Sequence, residues 1–315
     1  MMDATPNDAQ RVLSRLIRDV VTDVTAADPH DVWKKLTAAG FIEFGLPLGA
    51  DGLGFGPAEF CLIFEELGAE LCDARFVRSA LLVLGLWRNT AQEEMLSEAL
   101  EHVRAQTLSI DAGTHLPEIG SSPAHGQQRP GEMLLRGVSD AQGSWTWVLS
   151  RSSSEVSEPR FETSRTADEV RRAFDRDRLM VAAYLVGVAR RALELARTRA
   201  ASRLLGGRPL LERQAVAHEV ARAAVTVETA RLETWEAACR EDVSHLNFTA
   251  LASALDAAVA NAHVAVQLHG AAGTSHVQVT DVYSIAYRAA ATWGPSSSLW
   301  RSAAARRYAG EGAGP

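Results

Sequence analysis

The sequence predicts a mainly α protein in three parts: an N-terminal helical domain over 1–104, a reduced β-segment over 105–165 and a C-terminal four-helix bundle over 166–315. Three observations lead there. Apolar residues recur at helical spacing on both sides of the middle stretch. Between 105 and 165 that period stops, and Gly, Pro and Ser become dense around short strand-like runs. After 166 the helical stretches are long and their joints short, the pattern of antiparallel neighbours in a bundle.

Residues 8–25 carry Val12, Leu16, Val20 and Val24 on one helical line. A shorter helix from about Asp31 to Ala39 stops at Gly40, which can take the left-handed conformation that ends a helix. The segment Gly40–Gly56 reads as a turn-rich loop. Pro57 suits the first turn of a helix running to about Leu71, since its missing amide hydrogen is not needed there. Two more helices are expected near 76–88 and 90–104. In the middle stretch, Thr107–Ile110, Met133–Val138 and Trp145–Leu149 read as strands. The C-terminal helices are expected near 166–203, 210–241, 245–268, 280–291 and 296–309. Leu246, Ala250, Leu251, Leu255, Ala258, Val259, Ala262 and Val266 make one apolar face on the third of these.

Composition removes several classes of function. With 47% hydrophobic and 23% charged residues the chain describes an ordinary globular protein, and 315 residues suffice for a sizeable core. A net charge of −7 argues against nucleic-acid binding, which needs concentrated positive charge. Basic residues are almost all Arg, with Lys34 and Lys35 the only lysines. Cys61, Cys72 and Cys239 form no metal-ligand spacing, and their odd number fits a reduced compartment. The first residues lack the basic and apolar regions of a signal peptide, and no apolar run approaches the ~18 residues of a membrane span. A cytoplasmic protein without membrane attachment is expected. The glycines of 40–56 lack G-x-G-x-x-G order and a surrounding βαβ unit, which excludes a Rossmann reading. His263, His269 and His276 lack helical i,i+4 pairing and a carboxylate partner, so no metal site is read there. No G-x-S-x-G elbow occurs.

Two stretches carry chemistry. Arg203-Leu-Leu-Gly-Gly-Arg-Pro-Leu-Leu-Glu-Arg-Gln214 and Gln267-Leu-His-Gly-Ala-Ala-Gly273 resemble the flavin-binding motifs of the acyl-CoA dehydrogenases, R-x-x-F-G-x-P-[IL]-x-x-x-Q and Q-x-x-G-G-x-G. Arg203, Gly207, Pro209, Leu210 and Gln214 fall in register, while Gly206 replaces the Phe and Ala271 the second Gly. Further upstream, Gly40-Phe41, Leu46-Pro47, Gly52-Leu-Gly54 and Phe64-Glu65-Glu66-Leu67-Gly68 are similar to the family's N-terminal pattern. These last residues shape turns and helix packing, so they speak for the fold.

The resemblance implies flavin-linked α,β-dehydrogenation of an acyl thioester carried on CoA or a carrier protein. It implies FAD, with Arg203 giving charge to phosphate, Gln214 a hydrogen bond, and Gln267, Gly270 and Gly273 allowing close backbone approach. It also implies a homo- or hetero-oligomer with another family member, in which the edge of one subunit completes the flavin site of the next. Two departures matter. The family's [YF]-E-G-T-like turn, which holds the catalytic Glu, corresponds here to Thr292-Trp293-Gly294-Pro295, and the Trp293 indole cannot accept a proton. The middle segment also lacks the family's ring-holding motifs. In Phe174-Asp175-Arg176-Asp177-Arg178, which resembles F-D-x-x-R, Asp177 falls at an alternative base position and Arg178 at a substrate-contacting one. The plainer alternative reads these as solvated charges at a helix start. A flavin-independent cyclase, dehydratase or isomerase in the same cavity is the competing function, with Trp293 shaping that cavity.

Overall fold

The computed structural model describes residues 8–22, 29–45, 54–72, 100–101, 108–111, 133–139, 145–151, 159–240 and 243–311. Its helices are α1 (Asp8–Thr22), α2 (Pro29–Ala38), α3 (Phe41–Gly45), α4 (Pro57–Ala69), α5 (Ala167–Ser202), α6 (Gln214–Cys239), α7 (Ser244–His269), α8 (Val277–Trp293) and α9 (Ser296–Glu311). The chain is mainly α, as its periodicity predicts. The short helix α3 falls where the sequence reads as loop. The helices expected near 76–88 and 90–104 lie outside the described residues, save 100–101.

The chain divides into two compact units that interleave in sequence. One contains 33–56 and 75–177. Here β1 (Leu108–Asp111), β2 (Met133–Ser139), β3 (Trp145–Arg151) and β4 (Pro159–Arg165) form a four-stranded sheet in sequence order. Strands β1 and β2 run parallel, and the other neighbours are antiparallel. Strand β4 is absent from the sequence reading because Arg160, Glu162 and Arg165 hide any apolar alternation. Its leading Pro159 is tolerated at a first strand position. In the same unit the loop before α4 folds back, with the Phe55 amide donating to the Phe44 carbonyl at 2.8 Å and the two rings 5.0 Å apart.

The other unit contains 1–32, 57–74 and 178–315, so α5 passes from one unit to the other at Asp177 and Arg178. Helix α5 opens with a capping box. The Thr166 amide and hydroxyl both donate to Glu169 Oε2 at 2.9 Å, and the Glu169 amide donates to Thr166 Oγ1 at 3.3 Å. Helix α7 lies at the centre, packed against α6, α8 and α9. Together with the following turn it is long and apolar enough to cross a membrane, against the expectation of no such run, but most of it is buried inside the bundle as a core helix. Val188, Ala192, Ala196 and Ala200 of α5 meet Val220 and Ala223 of α6, Val264, Ala265 and Leu268 of α7, and Val282 of α8. The alanines, one turn apart, let the helices approach closely.

Helix α4 is buried from Phe60 to Ala69. A Cβ on Gly68 would stand 2.0 Å from the Tyr184 carbonyl oxygen, and one on Gly187 2.0 Å from that of Glu65, so α4 and α5 cross backbone to backbone. Beside the crossing, Glu65 and Glu66 collect three arginines. Arg18 grips Glu66 with Nε and Nη2 at 3.1 and 2.9 Å. Arg190 donates to both glutamates, and Arg231 Nε to Glu65 at 3.2 Å. Burial pushes the Glu65 carboxyl up against the opposing charges of Arg231 and Arg190. Burial acts on Glu66 too, but the Arg18 hydrogen bonds and the charge of Arg190 outweigh it and hold that carboxyl below its ordinary value. The Glu pair thus ties α1, α4, α5 and α6 together. Helix α4 ends in a Schellman motif in which Leu71, at φ 57°, takes the place a glycine usually fills. Its amide donates to Gly68, and that of Cys72 to Leu67.

Candidate functional site

The end of α5 builds an open corner. After Ser202 the chain makes a two-residue hairpin, β5 (Leu204–Leu205) against β6 (Arg208–Pro209), whose turn is Gly206-Gly207 at φ 65° and 77°. Left-handed backbone at both turn residues is the requirement of a type I′ turn, which matches the strand twist. Gly206, the position where the resemblance expects Phe, is therefore the residue this turn needs. The Leu210 amide closes the hairpin onto the Arg203 carbonyl at 2.7 Å, and Arg213 Nη2 donates to the Leu205 carbonyl at 2.9 Å. A single 3₁₀ turn, Leu210–Glu212, then leads into α6, where Gln214 is the first helical residue and is exposed.

Facing this hairpin is the C-terminus of α7. Arg203 is exposed, and its Nη1 donates to the Leu268 carbonyl at 3.4 Å. That bond places a cation on the negative end of the helix. Gly270, at φ 60°, terminates α7, and a Cβ there would sit 3.5 Å from Arg203 Nη1. Gly273 is buried with no room for a side chain, since its Cβ would lie 3.0 Å from that of His269. Gln267 is exposed on the last turn of α7. The His269 ring is buried, its Nδ1 lies 2.8 Å from the Ala265 carbonyl, and it faces the His276 ring at 5.2 Å between centroids. Burial lowers the His269 pKa, and the nearby His276 and Arg199 push the same way. Among the described residues no three His, Cys, Asp or Glu side chains converge as a metal set.

These residues fit one end of a dinucleotide. Arg203 has guanidinium hydrogens to spare, Gly270 keeps the space beside it free of a side chain, and both glutamines face solvent. FAD held here would meet Arg203 at its diphosphate and Gln214, Gln267 and Gly270 around it, while Gly273 packs inward against His269 and Val279. Sequence motifs found this edge, but they miss Arg213 and Arg199, which belong to no pattern and are placed by the hairpin and by packing.

The other residues singled out from sequence lie elsewhere. Asp177 is buried at 5% exposure, with Asp175 similarly enclosed, in the third turn of α5. The alternative of solvated charges at a helix start is thereby corrected. Arg178, 2% exposed, lies 4.3 Å above the Phe248 ring of α7, and Arg306 of α9 lies 4.6 Å from the same ring while donating to Ser244. Trp293 is buried at the end of α8, where Gly294 at φ 75° turns the chain into α9.

The acyl-CoA dehydrogenase N-terminal domain matches residues 4–105, and its C-terminal domain matches 168–310. The short-chain specific acyl-CoA dehydrogenase of Bos taurus mitochondria is 38% identical over 104 residues, 31% of this chain and 25% of that protein. The match therefore spans about a quarter of the curated relative's length. The ChsE4-ChsE5 complex of Mycobacterium tuberculosis superposes with a TM-score of 0.81 at 20% identity, covering 100% of both chains. The Tcur3481-Tcur3483 steroid ACAD gives 0.78 at 20% identity, covering 97% of this chain and 99% of that one. At such identity these two speak for the fold alone. With the family's N-terminal and C-terminal domains both matched and in order, this chain belongs to the acyl-CoA dehydrogenase family.

Proposed function

We propose that this protein is one subunit of a hetero-oligomeric acyl-CoA dehydrogenase and lends its Arg203 edge to a flavin whose ring is held by a partner subunit. The carrying observation is the open corner in which Arg203, Gly270 and the exposed Gln214 and Gln267 stand ready while making few contacts of their own. Relatives described as complexes of two named chains support the assembly. The outer face of α6, where Val225 and Leu232 are exposed, offers apolar surface for packing between subunits, at interfaces of roughly 2,000 Å² or more if obligate.

Bound flavin supplies the hydride acceptor for the β-carbon of the acyl thioester. The chain's own residues do the rest. Arg203 neutralises phosphate, and the glycine turn lets the backbone approach it. Asp177, buried, would take the α-proton. Trp293 excludes water from the position where the family's usual carboxylate stands.

Visible absorbance of the purified chain, mixed with FAD and then with a full-length homologue, tests this. The expected outcome is no retained flavin alone, a yellow complex after gel filtration with the partner, and a weaker one with Arg203→Ala. A stoichiometric flavin on the chain alone, or an Arg203→Ala complex that holds flavin as well as the native one, overturns the shared site. Trp293, buried where a carboxylate is expected, supports one second reading, a non-redox catalyst such as a cyclase, dehydratase or isomerase. Turnover by flavin-free protein that survives Asp177→Asn but not Trp293→Ala would establish it instead.

A further inference from the structure

We propose that Arg199 is a second phosphate-binding residue of the Arg203 edge, so that the end of α5 offers two guanidiniums to the diphosphate of an adenine dinucleotide. The inference rests on the flavin-edge reading and extends it to a residue outside both motifs.

The Arg203 amide donates to the Arg199 carbonyl at 2.9 Å, so helical spacing persists through both residues. Side chains four apart on a helix leave the same face about one turn from each other. Arg199 is half-buried, and its Nε is shut off from water with no hydrogen-bond partner among the described residues. That donor has lost its hydration without receiving an acceptor, a debt that an anion would settle. Arg191, two turns earlier, has an Nε shielded in the same way, but its Nη1 pairs with Glu194 at 2.7 Å. Among the described residues neither Arg199 nor Arg203 has a carboxylate within ion-pair distance. Arg199 also lies close enough to His269 for its charge to bear on the ring. His269 is in turn packed against Gly273, and Arg203 reaches Gly270. Two cations without acid partners at a glycine-lined corner suit two linked phosphates better than one. The guanidinium fork matches phosphate oxygens in pairs.

Calorimetric titration of the full chain with ADP and with AMP reads this out. ADP carries the diphosphate and adenosine of FAD without the ring, and AMP lacks one phosphate. The native chain should bind ADP more tightly than AMP. Arg199→Gln should weaken ADP on the order of tenfold or more, the scale of a lost charge-assisted hydrogen bond, and weaken AMP much less, so that the preference collapses. Arg199→Lys should recover part of it, and Arg191→Gln should bind as the native chain does. An Arg199→Gln protein that keeps the ADP preference overturns the assignment, and so does one that loses ADP and AMP equally alongside its thermal stability. If Arg203→Gln weakens ADP while Arg199→Gln does not, only Arg199 is removed and the flavin edge stands. A native chain that ignores ADP, with flavin also unbound in the presence of a partner, removes both.

Discussion

The Glu65–Glu66 cluster and the Arg203 corner are both built from family-motif residues, and they end in opposite states. At the first, two buried carboxylates are matched by arginines from α1, α5 and α6. At the second, an arginine stands in solvent with one long bond to a helix end. The difference teaches that a motif residue's role follows from what its neighbours leave unsatisfied. Glu65 and Glu66 have their partners inside the fold and serve the fold. Arg203 and the glycines around it are left with capacity that only something outside the chain can use.

The heaviest blow to the closed region is Gly187→Val. Its Cβ would meet the Glu65 carbonyl at 2.0 Å, with backbone on both sides and nothing flexible to yield. The cost should exceed the ~1–3 kcal/mol of ordinary overpacking, and soluble expression with far-UV circular dichroism should find little folded protein. Glu66→Ala comes next. Removing a buried partner of Arg18 and Arg190 should cost about 3–5 kcal/mol, seen as a lower urea midpoint at unchanged slope. At the open corner the same kind of truncation should be silent for stability. Arg203→Ala should shift the unfolding free energy by less than about 0.5 kcal/mol. A loss comparable to that of Glu66→Ala would mean that Arg203 serves the end of α7 rather than a ligand.

The smallest effect is pH dependence at His269. Burial first, then His276 and Arg199, lower its pKa when folded, so between the ordinary value near 6.5 and that lower one the unfolded chain binds the extra proton. Its contribution to stability is then fully present above about pH 6.5 and is lost as pH falls through the depressed value. Thermal melts across this range should show the decline, and His269→Gln should flatten it. Unchanged slope in that variant would place the titration elsewhere, Glu66 being the other group whose contribution disappears on acidification.

Much of the fold was legible in the sequence because its signals are local. Apolar spacing marked α1 and α5–α9, and Gly40 marked the end of α2. The candidate edge was legible for a different reason: Arg203, Gln214, Gln267, Gly270 and Gly273 keep a recognisable order. The stacking of Arg178 on Phe248 was not, since the two residues lie seventy positions apart. Arg199 was invisible for the same reason. In an Ala-rich helix it reads as one more surface charge, and only its lack of the carboxylate partner that Arg191 has and its nearness to His269 set it apart.

The Gly206-Gly207 hairpin has a consequence in the unfolded chain as well as the folded one. Two adjacent glycines give the denatured ensemble more backbone freedom there than any other pair would, and folding surrenders all of it to fix one turn. A Cβ at Gly207 would touch nothing within 4 Å, but its φ of 77° is one that L side chains rarely adopt. The turn that orients Arg203 toward Gly270 therefore rests on a freedom only glycine has: Gly207→Ala, which would add no clash, should still cost about 1–2 kcal/mol of unfolding free energy through backbone strain alone.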